Sequence, residues 1–170
     1  MNVRERLEAA DRQHLLVHSF LPRIDSKVSA LFAVVSGELA VLCLNITKQT
    51  LTTWWTAVPL VIAVGLIATT VVYLYKCAFP HLDGGHSSLI YFAEVSKRTE
   101  AKFLIEWKNA DADKLTDDIL GQIWANSVIV CKKFRFLKIA SITLASSLLP
   151  WGLYLAGSAF LTAKMITIST

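Results

Sequence analysis

The sequence has few of the residues that would build a secreted or a catalytic domain. Its three cysteines have no paired spacing, which excludes a disulfide scaffold, and seven glycines with four prolines exclude a collagenous chain. It contains no phosphate-binding loop, GxGxxG motif or Ser/His/Asp arrangement, so we expect neither an enzyme nor a bound cofactor. Only 18% of the residues are charged, whereas 54% of the 170 residues are hydrophobic. With a mean hydropathy of +0.50, this composition is too apolar for a small soluble domain.

Three stretches are apolar enough to cross a bilayer as helices, which takes about 20 residues at about 1.5 Å per residue. Residues 54–75 and 139–163 contain no charged side chain. Residues 28–44 are shorter and contain Glu38, but polar residues bound this stretch and it would otherwise expose a hydrophobic run to water. The sequence therefore predicts an all-α membrane protein with three spans, numbered one to three in chain order.

Basic residues lie almost entirely on one side of these spans. Of the 17 Lys and Arg residues, 15 fall before span one or between spans two and three. Such an excess marks the cytoplasmic side of a membrane protein. We therefore expect a cytoplasmic N-terminus and a C-terminus outside. Residues 1–19 are charged, without the apolar core of a cleavable signal peptide.

The predicted spans divide the chain into four segments. Residues 1–24 form a cytoplasmic amphipathic helix, and residues 25–75 carry spans one and two. Residues 76–138 form a cytoplasmic helical region, and residues 139–170 contain span three with an outer tail. The amphipathic helix is expected to break at Pro22, just before Asp25, which is a suitable N-cap for span one.

The long loop between spans two and three has helical periodicity. After a turn signal at residues 83–85, a helix is expected from residue 87 or 88 to about residue 109. A second apolar stripe then continues into span three without a stop signal, which predicts one helix over about residues 114–162, kinked at Pro150.

Glu38 is the one acidic residue within the predicted spans. An isolated carboxylate at mid-membrane costs about 3 kcal/mol on insertion scales, so it should face an aqueous path or a partner. In a homo-oligomer, Glu38 would form a ring, with Asn45 toward the outer mouth of a cation-selective pore. The alternative is a protonated Glu38 that is hydrogen-bonded inside the protomer, for example to a threonine of span two.

Basic residues of the cytoplasmic segments are candidates for binding the phosphates of a nucleotide or an oligonucleotide. The candidates are Lys97, Arg98, Lys102, Arg4, Arg6 and Arg12. A further cluster at residues 132–135 lies beside span three, where membrane orientation alone explains it. The alternative for all of these cations is ordinary solvation at the surface.

Two pairs of histidines are too sparse to hold a metal ion. His14 and His18 have helical spacing, and His81 and His86 flank the glycine-rich turn, but neither pair has a third ligand nearby in sequence. Because metal sites need three or four ligands, we expect no metal centre.

Three stretches of the chain share a pattern with one known family. The first is residues 25–32, the second is Pro80 with residues 89–93, and the third is residues 115–123 with residues 133–138. The residues that carry the likeness are Asp25, Lys27, Pro80, Tyr91, Phe92, Gln122 and Lys133. Together they resemble the transmembrane effectors of Pycsar-type bacterial anti-phage defence, whose opening motif reads Asp-x-Lys-Ala-x-x-Leu-Leu. This chain departs from that motif with Val28 and Phe32.

The resemblance implies disruption of the bacterial inner membrane, or ion conduction across it, on a nucleotide signal during infection. The cyclic-nucleotide-binding domain usual in the family is not within these 170 residues. A module without that domain is similar to the channel effector of Hailong-type defence, which is held closed by DNA oligomers made by a partner nucleotidyltransferase. The resemblance thus implies a homo-oligomer, with a tetramer as the first guess, in a lipid bilayer. The alternative is a non-conducting membrane scaffold whose cytoplasmic helices recruit a partner protein.

Overall fold

The computed structural model describes residues 2–79 and 87–169, the last five of these as backbone only. Every regular element within these residues is an α-helix. The helices are α1 (Val3–His18), α2 (Phe20–Asn45), α3 (Lys48–Thr52), α4 (Trp54–Ala78), α5 (Phe92–Val95), α6 (Glu100–Lys108) and α7 (Ala112–Ser169). The predicted all-α fold is confirmed.

Three segments are long and apolar enough to cross a membrane, as the sequence predicts. They lie within Val3–Asn45, Trp54–Ala78 and Ala112–Lys164. The last of them belongs to α7, whose 58 residues extend over about 87 Å at 1.5 Å per residue. The predicted continuity of the preceding helix with span three is therefore confirmed, although α7 begins earlier and ends later than expected. The kink at Pro150 stays a prediction.

The chain forms two compact units. The first contains residues 1–25 and 80–133, and the second contains residues 26–79 and 134–170. The first unit therefore holds α1, α5, α6 and the N-terminal part of α7. The second unit holds α3, α4, most of α2 and the C-terminal part of α7, and so it carries the predicted spans.

Each span of the second unit buries a stripe of residues that alternate in steps of three and four. In α4 the stripe is Thr56, Leu60, Ala63, Ile67, Thr70, Leu74 and Cys77. Its counterparts are Val28, Val35, Glu38 and Leu42 in α2, where Val28 and Val35 are two turns apart, and Leu137, Ala140, Leu144 and Ser147 in α7. This spacing packs helices side by side at a shallow angle, as in most membrane bundles. The three stripes form the core of the second unit.

Helices α2 and α7 run parallel and in register within this unit. The Ser147 hydroxyl contacts the Glu38 carboxyl, and the Tyr154 hydroxyl contacts the Asn45 carbonyl. Both pairs are 109 residues apart in sequence, although they lie two turns apart along the helices. A constant offset arises only when two helices point in the same direction and rise equally.

The helix break predicted at Pro22 and the N-cap predicted at Asp25 are wrong. The break between the helices lies at Ser19, so that Asp25 lies inside α2 and does not cap it. Pro22 explains the position of the break, because its nitrogen has no hydrogen to donate to the carbonyl oxygen of His18, four residues earlier. Proline is tolerated in the first turn of α2, where the backbone nitrogens need no partner within the helix.

The single helix predicted over residues 87–109 is also wrong, since two short helices, α5 and α6, replace it. Ser87 adopts a φ of 63°, in the left-handed region, which is incompatible with a helix starting there. The buried Ser88 hydroxyl then accepts hydrogen bonds from the backbone N–H groups of Ile90 and Tyr91 and forms a turn. Thr99 caps α6 through the Lys102 N–H. The turn predicted at residues 83–85 lies outside the described residues.

Gly157 provides a test of the packing between α4 and α7. A Cβ atom at this position would lie 2.7 Å from Thr56 Cγ2 and 2.8 Å from Trp55 Cζ3, whereas a Cβ at Gly152 meets nothing within 4 Å. We predict that Gly157→Ala destabilises the protein by about 1–3 kcal/mol through overpacking. Gly152→Ala in the same helix should be neutral or stabilising by about 1 kcal/mol, because alanine favours helix. Thermal unfolding in mild detergent measures both, and equal melting temperatures would contradict the packing.

Candidate functional site

A line of hydrogen-bonding side chains follows one face of α7 in the second unit. Its members are Thr143, Ser147, Trp151, Tyr154 and Ser158. Steps of three and four residues keep them on one face of the helix. Helices α2, α3 and α4 supply their partners, and this polar stripe is the feature of the spans that sequence reasoning missed. The steps of three and four between these polar residues are visible in the sequence of span three and could have predicted the stripe.

The C-terminal end of the polar stripe, at Tyr154 and Ser158, forms hydrogen bonds with the C-terminus of α2. The hydroxyl of Tyr154, a fully buried residue, donates to the carbonyl oxygen of Asn45 at 2.8 Å, and Ser158 Oγ lies 3.4 Å from the same oxygen. Asn45 is the last residue of α2, and the last carbonyls of a helix have no partner within it. The side-chain amide of Asn45, predicted for a pore mouth, donates to the Val41 carbonyl at 2.8 Å.

Glu38 lies between α2 and α7 and is only 6% exposed. Ser147 Oγ is 3.1 Å from its Oε2 atom, and the indole Nε1 of Trp151 donates to its backbone carbonyl at 3.3 Å. Its Oε1 atom is buried and has no hydrogen-bond partner among residues 2–79 and 87–169. Within the protomer, Glu38 therefore contacts a serine of span three, where the alternative interpretation of the sequence expected a threonine of span two. A role of Glu38 in lining a pore stays a prediction.

The hydroxyl of Ser147 has one hydrogen and two possible acceptors. Its Oγ atom lies 2.6 Å from the Leu144 carbonyl and 3.1 Å from Glu38 Oε2. When the hydrogen points to Leu144, the contact with Glu38 needs a hydrogen from the carboxyl group, which a neutral acid has and a carboxylate lacks. A neutral acid also avoids burying a charge beside an unpaired oxygen. The geometry therefore suits a neutral Glu38.

The N-terminal end of the stripe connects α7 to α4. The hydroxyl oxygens of Thr70 and Thr143 lie 2.8 Å apart, and each hydroxyl also lies within hydrogen-bond distance of a carbonyl one turn earlier in its own helix. All three predicted spans therefore share hydrogen bonds along one face of α7.

In the first unit, the side chain of Arg98 is occupied by hydrogen bonds that stabilise the fold. Its side chain is 11% exposed and its Nε donates to Glu106 Oε2 at 2.8 Å. The other nitrogens donate to the carbonyl oxygens of Ser87, Ser88 and Glu94 at 2.7–2.9 Å. These four bonds use four of the five N–H groups of a guanidinium. Arg98 thus holds the segment before α5 in place.

The remaining candidate cations are exposed. Ion pairs join Lys97 to Glu94, Lys102 to Glu106, Arg4 to Glu8 and Arg6 to Asp113. Arg12 makes no ion pair with any residue that the structure describes. Hydrogen bonding by Lys97 is the main cause of a lowered pKa of Glu94. Because surface ion pairs contribute little to stability, a phosphate group can compete for these cations.

Helix α7 also fixes the segment before α5. The backbone N–H of Leu89 donates to Asp118 Oδ2 at 2.7 Å. The side-chain amide of Gln122 reaches Ser88 Oγ at 3.4 Å, and both residues are buried. Gln122, one of the residues that carry the family resemblance, therefore anchors this segment and does not face solvent.

The other residues of the resemblance have different surroundings. The rings of Tyr91 and Phe92 make an edge contact at 5.0 Å between centroids, and Phe92 is largely exposed. Lys27 is exposed on α2. Pro80, like His81 and His86, lies outside the described residues.

Asp25 and Lys133 form an ion pair within the first unit, between α2 and α7. Lys133 Nζ lies 2.7 Å from Asp25 Oδ1, and the lysine side chain is 7% exposed. A lysine is rarely this buried unless it is paired. From the sequence, the charge of Lys133 was explained by membrane orientation. The sequence gave no sign of its pairing with Asp25, because 108 residues separate these two residues.

Comparison with known proteins identifies a family. The family model PycTM, described as the Pycsar effector protein domain, matches residues 9–158. The matched region includes the Asp25–Lys133 ion pair, the buried acid Glu38 and the whole polar stripe. No curated protein and no solved structure matches the chain.

The ion pair of Asp25 and Lys133 predicts an asymmetry between its two single variants. Asp25→Asn removes the carboxylate from a buried ammonium and should destabilise the protein by about 1–2 kcal/mol, less than for a fully buried pair because Asp25 is partly exposed. Lys133→Met keeps the buried apolar stem without the charge and should cost less. Chemical denaturation in detergent measures the order. A larger loss for Lys133→Met than for Asp25→Asn would contradict it.

Proposed function

Because this chain belongs to the Pycsar effector protein domain family, it is a transmembrane effector of anti-phage defence, and we propose that a nucleotide or an oligonucleotide gates it. The effector acts as an ion channel or a membrane-permeabilising protein during abortive infection. Pycsar effectors respond to a cyclic nucleotide from a partner cyclase. The membrane is the bacterial inner membrane, with the N-terminus in the cytoplasm and the C-terminus outside, as the distribution of basic residues indicates.

The buried acid Glu38 supports a gate with two states. In the closed state, its neutral carboxyl contacts Ser147 on the parallel helix α7. In the open state, α2 turns or shifts away from α7, Glu38 meets water and ionises, and a ring of carboxylates attracts cations. The unpaired Oε1 atom raises the free energy of the closed state, which keeps the two states close in energy.

An exposed apolar face of α7 supports assembly into a homo-oligomer, with a tetramer as the first guess. In the first unit, Trp124 is 72% exposed, and Leu120, one turn earlier on the same helix, is half exposed. Adjacent exposed apolar side chains of this size are typical of interaction surfaces. The mass of the protein in detergent reports the subunit number, and a monomer there would contradict the assembly.

The cytoplasmic cations support a site for a nucleotide or a DNA oligomer made by a partner nucleotidyltransferase. Arg98 already makes four hydrogen bonds, so of the three candidates Lys97, Arg98 and Lys102, the two lysines are the ones proposed to bind a phosphate. The N-terminal arginines Arg4, Arg6 and Arg12 add exposed positive charge in the same unit. Several copies in an oligomer would multiply a weak patch of charge.

Substitutions at Glu38 and Ser147 test the gate. Glu38→Gln cannot ionise but can still donate a hydrogen bond to Ser147, so we predict lower cation current and lower toxicity than for the natural protein when each is expressed without its partner. Ser147→Ala removes a hydrogen bond worth about 1 kcal/mol from the closed state, and we predict about fivefold more opening. Membrane depolarisation in cells and current in planar bilayers measure both effects.

The neighbouring serine supplies a matched control for this test. Ser146 is exposed on α7, and Ser146→Ala should leave depolarisation unchanged. If Glu38→Gln and the natural protein are equally harmless and carry no current, the channel is excluded. Retained defence with Glu38→Leu, together with a stable complex with another protein, would favour the non-conducting scaffold.

Binding of the ligand depends on salt in a way that identifies the cations involved. We predict that the combined substitution Lys97→Gln and Lys102→Gln weakens binding of short DNA oligomers and cyclic mononucleotides to the purified protein. For the oligomers, the slope of log affinity against log salt should fall by about 1.4, since each phosphate contact on a single strand contributes about 0.7. Lys108→Gln, at an exposed lysine of α6, is the control. Equal losses for control and double variant would exclude a specific site at Lys97 and Lys102.

A further inference from the structure

A groove of about 360 Å³ opens on the surface of the second unit between α2 and α7. Its walls are formed by Ala30, Leu31, Phe134, Leu137 and Ser141. The small side chains of Ala30 and Ser141 leave the space, and the larger side chains make its walls predominantly apolar. The groove can therefore accept a hydrocarbon chain.

Two lysines complete the lining of this groove. Lys27 is the last residue before the apolar stretch of span one, and Lys138 is the last residue before that of span three. Both are exposed, and neither side chain makes a hydrogen bond or an ion pair with a residue in the described part of the chain. Two ammonium groups beside one apolar groove repel each other unless an anion lies between them.

We propose that this groove binds an anionic phospholipid, with its phosphate on Lys27 and Lys138 and an acyl chain along the apolar walls. Both lysines stand where a span begins, which is the depth of lipid headgroups. Basic pockets between membrane helices on the cytoplasmic side recognise acidic headgroups. A free phosphate or nucleotide would use the lysines and leave the apolar walls in water, so a lipid fits the whole lining better.

Membrane orientation alone would require basic residues beside the spans, but it does not require them to line one groove. Arg135 shows the difference, because it is also exposed beside span three and is not part of the lining. A lipid that occupies the groove contacts α2 and α7 together. Its binding is measured without any conduction, so it stands or falls separately from the proposed channel.

The test is retention of lipid by the purified full-length protein. The protein in mild non-ionic detergent is exchanged with an equal mixture of phosphatidylglycerol and phosphatidylcholine, and the retained phospholipids are quantified by mass spectrometry. We expect enrichment of phosphatidylglycerol in the natural protein. One lysine near a membrane surface contributes about fivefold to the binding of acidic lipid, so Lys27→Gln with Lys138→Gln should lower the enrichment by up to about thirtyfold. Arg135→Gln should change it by no more than about twofold.

A second variant tests the apolar walls without touching the charges. Ala30→Trp should fill the groove and lower retention of phosphatidylglycerol, and glycerol 3-phosphate should not displace the lipid from the natural protein. Equal retention of both lipids, an equal loss in Arg135→Gln, or displacement by glycerol 3-phosphate would overturn the proposal. A changed oligomer mass in Ala30→Trp with unchanged lipid retention would assign the groove to a second copy of the chain, and would overturn it as well.

Discussion

The parallel contact between α2 and α7 is the interaction on which the membrane unit depends. A bilayer offers no water to polar groups, so each buried hydroxyl, carboxyl and terminal carbonyl must find a partner inside the protein. The constant offset of 109 residues brings the Glu38 carboxyl to Ser147 and the end of α2 to Tyr154. A single-residue slip would remove both contacts together, because neighbouring residues of a helix point about 100° apart.

Hydrogen bonding is more complete at the two ends of the polar stripe than at its middle. Near Asn45 the hydrogen bonds complete a helix terminus, and near Thr70 two hydroxyls connect α4 to α7. Glu38 lies between these levels, and among the described residues it alone has a buried side-chain oxygen without a hydrogen-bond partner. A side chain with an unmade hydrogen bond, among neighbours that make all of theirs, is a natural place for a conformational change, since its movement breaks the fewest hydrogen bonds.

A feature of the structure could be predicted when it leaves a local pattern in the sequence. Uninterrupted apolar runs predicted the spans, and the absence of a stop signal predicted the continuity of α7. Local hydrogen bonds overrode the periodicity around Ser87 and Ser88, where a left-handed residue and a serine turn divide one expected helix. Contacts between distant residues left no signal: neither the charge of Lys133 nor the roles of Arg98 and Gln122 can be derived without knowing which segments meet. The acid Glu38 was singled out by its cost in a membrane, but its partner was not.

The single hydrogen of Ser147 has a consequence for how the proposed gate responds to its surroundings. If the closed state needs a hydrogen on the Glu38 carboxyl and the open state releases it, each protomer takes up one proton from water when it closes. Acidification then favours closure by mass action, and in an assembly that closes as one body the protons are taken up together. Protons that enter through the proposed open channel would in this way favour its closed state. The spans themselves would then limit the current, independently of any nucleotide.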